Sequence, residues 1–138
     1  MTHFEDLTVY DYLEPEQRDP RSRKPMLNVG WLDPAHDHPM ADADPALVEA
    51  LCVLVVDVQH LMRGVHACEF CPKPVVPVLS NPHDPTGSTM LGNGEIHVVG
   101  NGMRFAAPTM VIHYISEHYY RPPDEFTAAA LRHAARLA

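Results

Sequence analysis

Two pairs of residues constrain this chain more than anything else in it: Cys68-x-x-Cys71 and, well downstream, His113-x4-His118. Two thiolates at this spacing turn onto one ion without straining the backbone, and a histidine pair separated by three to five intervening residues is the usual complement. Residues five apart on an unbroken α-helix lie about 140° from each other. The histidine pair must therefore sit where a helix tightens or ends, and Pro122-Pro123 supplies a stop just beyond it. Soft sulfur with imidazole suits Zn2+ over magnesium or calcium. The expectation is one zinc ion held by Cys68, Cys71, His113 and His118, so any fold must bring these positions to one point.

Rival readings exist for each residue. The bland reading, weaker than the zinc one, is of buried free thiols with histidines that only pack or hydrogen-bond. A redox dithiol fits less well, because Cys71 is followed by Pro72 and a proline-rich stretch, not by the helix that lowers a thiol pKa. His66, two residues before Cys68, and His97 are spare ligand candidates. A lone histidine in a strand, as His97 reads, more commonly lies at the surface or across from a neighbouring strand. Cys52 sits among valines and reads as a small core residue.

The surrounding pattern is that of an α+β chain with a buried central helix, a β-hairpin and a zinc knuckle–hairpin–helix unit of treble-clef-like order, an analogy of layout. Asp44 and Pro45 form a helix start, and Leu47, Leu51, Leu54, Val58 and Leu61 continue one stripe toward Gly64 as the stop. Pro72–Met90, with prolines at 72, 74, 77, 82 and 85, reads as a loop-like insertion. Gly100-Asn101-Gly102 turns a hairpin over residues 95–106. A second helix is expected from Ala107-Pro108, with Pro108 at its first position, and a third from Pro123, with Asp124 and Glu125 first and Arg132, His133 and Arg136 last. Leu7, Val9 and Tyr10 read as a short strand or turn, Glu14–Pro25 as an exposed loop, and Trp31 as a packing anchor. The length suits a single domain, 1–138.

Charge narrows the partners. The formal net charge is −8, and Arg21–Lys24 is the sole basic run, so nucleic acid is disfavoured and a protein partner is the expectation. No apolar stretch is long enough for a transmembrane helix, so no membrane partner is expected. The start, Met1 to Asp6, is acidic and unlike a signal peptide. A cytoplasmic location follows as the default, where three cysteines read as thiols or metal ligands and not as a disulfide framework.

A resemblance covers nearly the whole chain. Asn28-Val29-Gly30-Trp31-Leu32, the run Arg63-Gly64-Val65-His66-Ala67-Cys68-Glu69-Phe70-Cys71, Gly92-Asn93-Gly94-Glu95-Ile96, Ala107-Pro108, and His113-Tyr114-Ile115 through Tyr120-Arg121-Pro122-Pro123 to Phe126 resemble a family of small uncharacterised bacterial proteins. The resemblance implies one unit containing knuckle, hairpin and helix histidines, with residues 72–91 as a variable insert. It implies no activity.

Two functions compete. A closed Cys2His2 set with no catalytic signature points to structural zinc in an interaction or adaptor module, and to no assigned catalytic residue. The alternative is a metal-dependent hydrolase using Glu117, Glu69 or Glu95 as general base, with His66 or His97 near the metal. Its weak point is His113-Tyr-Ile-Ser-Glu117-His118, which has one residue too many for the H-x-x-E-H peptidase pattern. Tyr114, Tyr119, Tyr120 and Arg121 read either as helix packing or as an exposed aromatic patch.

Overall fold

A computed structural model describes residues 3–10, 25–61 and 64–137. The architecture is mixed α+β, with three helices and two small sheets among the described residues. The elements in chain order are β1 (Met26–Asn28), α1 (Pro45–Leu54), β2 (Val78–Ser80), β3 (Ser88–Met90), β4 (Glu95–Gly100), β5 (Met103–Pro108), α2 (Val111–His118) and α3 (Asp124–Leu137). The expected loop Glu14–Pro25 falls almost wholly outside the described residues.

The main sheet has the order β1-β5-β4. β4 and β5 form the expected hairpin, with Glu95 opposite Pro108 and Gly100 opposite Met103. Asn101 and Gly102, at φ 54° and 72°, make the two-residue loop with positive φ at both positions that suits the twist of the strands. β1 joins β5 in parallel, Leu27 opposite Phe105. Val9 bridges Leu27 in the antiparallel sense, and Leu7 N–H to the Asn28 carbonyl, Asn28 N–H to the Thr8 carbonyl and Tyr10 N–H to the Met26 carbonyl, each at 2.7 Å, make the segment read from Leu7 to Tyr10 a short strand-like pairing along β1.

Alternation along the strands sets the two faces. Ile96, Val98, Phe105 and Ala107 point into the main core, where they meet Leu47, Leu51 and Leu54 of α1, Ile112 and Ile115 of α2, and Phe126, Ala129 and Ala130 of α3. Ala106 points the other way, into a smaller cluster with Tyr10 and Trp31. The Trp31 indole N–H donates to the Ala106 carbonyl at 3.0 Å, which satisfies its polar atom as the ring is buried.

Three boundaries differ from the sequence reading. α1 starts as expected, Asp44 accepting the Ala46 N–H at 3.0 Å, but it ends at Leu54, not at Gly64. Val58 and Leu61 leave the helix because Gln59 pairs with Glu95 of β4 instead, exchanging both backbone bonds at 2.8 Å. Pro108 closes β5, so α2 starts three residues later, at Val111. The segment read as a loop from Pro72 to Met90 carries the β2–β3 hairpin, with Val78 opposite Met90.

α3 protects the outer edge of β4. His133 Nδ1 accepts the Val99 N–H at 3.1 Å, and Arg136 Nη2 donates to the Val99 carbonyl at 2.6 Å. Unpaired strand edges invite misassociation, and side chains here occupy both polar groups of Val99. Gly100 lets the helix approach: a Cβ there would lie 2.7 Å from the Ala129 oxygen. Burial, then the nearby Arg136 charge, push the His133 pKa down, with Asp57 opposing. The unfolded chain thus takes up a proton before the folded one does. The His133 contribution is complete above the ordinary histidine range and is lost as pH falls below about 6.5. Urea midpoints measured from pH 7.5 to 5 should fall less steeply for His133→Gln than for the wild-type chain; equal slopes would remove the neutral-acceptor role.

Candidate metal centre

The site is assembled from a turn and a helix end. Cys68 N–H donates to the Val75 carbonyl at 2.7 Å, closing a tight loop around Cys71. Within it, the backbone N–H groups of Phe70 and Cys71 point at the Cys68 sulfur. Such amide donors stabilise a thiolate. Burial pushes the Cys68 thiol up, these two amides pull it down, and the neighbouring Cys71 raises it again. The net upward shift means that, without a cation, the buried sulfur keeps its proton.

α2 supplies the other half. Its last turn opens out: Tyr119 N–H bonds the Tyr114 carbonyl five residues back, and Tyr120 N–H reaches the same oxygen at 3.1 Å. Tyr119 adopts φ 59°, the left-handed conformation that ends many helices. This widened end turns His118 back toward His113, which regular α-geometry would not do. The two Nε2 atoms lie 3.2 Å apart.

The four donor atoms of Cys68, Cys71, His113 and His118 all lie within 4.8 Å of one another. Cys68 Sγ is 3.4 Å from His118 Nε2, and Cys71 Sγ is 3.4 Å from His113 Nε2 and 3.5 Å from His118 Nε2. Cys68 is buried and the other three are half-buried. Burial and the His118 neighbour push the His113 pKa down, against Glu117, which favours the neutral ring that a metal ligand needs. Phe70, inside the turn, packs edge-on against Tyr114 with centroids 5.4 Å apart and lies 5.6 Å from the His118 ring. It ties the turn to α2 by apolar contact as well.

The remaining sequence candidates fall elsewhere. His66 is exposed and outside the cluster, its backbone N–H bonded to the Gly92 carbonyl at 2.8 Å. His97 belongs to a second group of possible donors, with His60 and Glu95. Glu69 and Glu117 are exposed. Tyr114 and Tyr120 are buried core residues, Tyr120 donating to Asp6 at 2.7 Å, so only Tyr119 of the three tyrosines faces solvent. Cys52 is buried, as read.

The sequence reading passed over His60, which it had placed inside a helix. The available signal was Glu95-x-His97: alternate residues of a strand share a face, so these two side chains had to be neighbours.

No described helix is long and apolar enough to cross a membrane. No curated protein and no solved structure matches the chain. The sequence does match a family described as a domain of unknown function, DUF7919, over residues 2–131, a span that includes both halves of the Cys–His cluster. With nearly its whole length matched, the chain belongs to the DUF7919 family.

Proposed function

We propose that the protein is a zinc-stabilised interaction module in which Cys68, Cys71, His113 and His118 hold one structural Zn2+. The observation that carries the reading is the set of donor–donor distances. A tetrahedral zinc with Zn–N of about 2.0–2.1 Å and Zn–S of about 2.3 Å needs N···N edges of about 3.3–3.4 Å and S···N edges of about 3.5–3.6 Å. The N···N distance is 3.2 Å and the three S···N distances are 3.4–3.5 Å. Two thiolates and two imidazoles fill a tetrahedron, which supports a structural ion over a hydrolytic one needing an open position.

In this reading the ion joins a treble-clef-like knuckle to the end of α2, where the chain has little other secondary structure to fix the turn. The interaction role draws support from the hairpin that follows the knuckle. Val78 and Met90 are cross-strand partners, both exposed on one face, and Val75, three residues before Val78 in the chain, is exposed too. Apolar pairs displayed this way suit contact with a protein partner. The net charge of −8 argues against a polyanion in that place.

Elemental analysis of protein purified without a metal-affinity tag tests the proposal. Close to one zinc per chain is expected, falling to near zero in Cys68→Ser. A metal-free wild-type protein would return the cysteines to ordinary thiols.

A further inference from the structure

His60, Glu95 and His97 form a donor group that shares no residue with the Cys–His cluster, and their ligating atoms lie within 4.8 Å of one another. We propose that these three residues bind a divalent first-row transition ion on one face of its coordination sphere, leaving further positions open to water or a small anion. Two imidazoles and one carboxylate, arranged on one face, are a donor set that such ions accept while keeping exchangeable positions.

Distances support the geometry. Glu95 Oε1 is 2.9 Å from His60 Nδ1 and 2.8 Å from His97 Nε2. Donors about 2.1 Å from one ion and at right angles to each other are about 3.0 Å apart, whereas a tetrahedral angle would need about 3.4 Å. Both distances from Oε1 therefore match neighbouring positions of an octahedron, unlike the longer edges of the tetrahedral cluster.

Tyr10 Oη lies 2.8 Å from Oε1 and 2.9 Å from Oε2 of Glu95 and donates its one proton to that carboxylate. Both imidazoles meet Oε1, and Tyr10 orients the carboxylate from outside, as partners of metal ligands do.

The backbone is arranged to the same end. His60 has φ 48°, a conformation disfavoured for a residue with a side chain, and it is held there by the two-way Gln59–Glu95 pairing. Such outliers persist where the surroundings impose them, and they concentrate at ligand-holding positions. The Glu95 side chain is 4% exposed, while those of His60 and His97 are 30% and 19% exposed, so the group opens to solvent on its histidine side.

Cobalt(II) titration of the metal-stripped full chain tests the inference, because the two sites give different signals. The wild-type chain should take two equivalents. One should show strong thiolate-to-cobalt charge transfer, and the other only weak visible bands of a higher-coordinate ion. His97→Ala and Glu95→Gln should weaken the second at least tenfold and leave the first intact. Cys68→Ser should do the reverse, so loss of the charge-transfer signal alone would count against the Cys–His site and not against this one. A wild-type chain that binds only the thiolate equivalent, or a His97→Ala chain that still binds both, overturns the proposal.

Discussion

Cys68→Ser should lower the thermal midpoint by on the order of 12 °C, and chelation of the wild-type chain should lower it by a similar amount. An ion that binds only the folded state, present at about a thousand times its dissociation constant, contributes about 4 kcal/mol. For a chain of this size each kcal/mol moves the midpoint by roughly 3 °C. The expected effect is large because the proposed ion would span a long loop: the candidate ligands come from residues 68–71 and 113–118, and closing long loops is where a clip acts most on the unfolded chain. Cys68 belongs to the main core, but α1, α3 and the β4–β5 hairpin supply many of its members, so these elements should persist and far-UV circular dichroism should change far less than the midpoint. A Cys68→Ser chain melting with the wild type would remove the structural role for the ion.

Gly92→Ala should destabilise by about 2–5 kcal/mol, the sum of a left-handed backbone penalty and an overpacking penalty of roughly 1–2 and 1–3 kcal/mol. Gly92 has φ +98°, and a Cβ there would collide with the His66 carbonyl oxygen and press on Met110 Cε at 3.1 Å. The first neighbour is backbone and cannot rotate away. The position is also a junction, since Gly92 N–H donates to the buried Thr109 hydroxyl at 2.9 Å while its carbonyl accepts the His66 N–H. Displacing it shifts the entry to the knuckle on one side and the start of α2 on the other. Chemical denaturation with a metal-release assay should therefore show lower stability and weaker zinc retention together. Wild-type stability in Gly92→Ala would mean that the turn relaxes freely.

What the sequence revealed depended on how local each determinant is. The start of α1 was legible because Asp44 and Pro45 act within one turn. Its end was not, because Val55, Val56 and Val58 extend the apolar run and only Gln59, pairing with a strand some 35 residues later, draws the chain out of the helix. Pro108 was misplaced for a related reason. Proline suits the first turn of a helix, but it suits the last residue of a strand equally well when that position needs no N–H. The Cys–His cluster was legible as a cluster because each pair carries its spacing in sequence, and the structure adds the widened turn that brings His118 round. The His60–Glu95–His97 group was half legible: the strand period joins Glu95 to His97, but nothing short of the tertiary fold brings in His60.

The parallel pairing of β1 with β5 has a consequence for how the chain acquires its shape. Residues 26–28 pair with residues 104–106 across most of the chain, and Asp6 meets Tyr120 across a still longer stretch. Folding rates fall as contacts become more distant along the chain. Residues 103–108 leave the ribosome after residues 26–28, so β1 gains its parallel neighbour only once the later strand has been made. An early-made strand thus takes its sheet register from a later-made one.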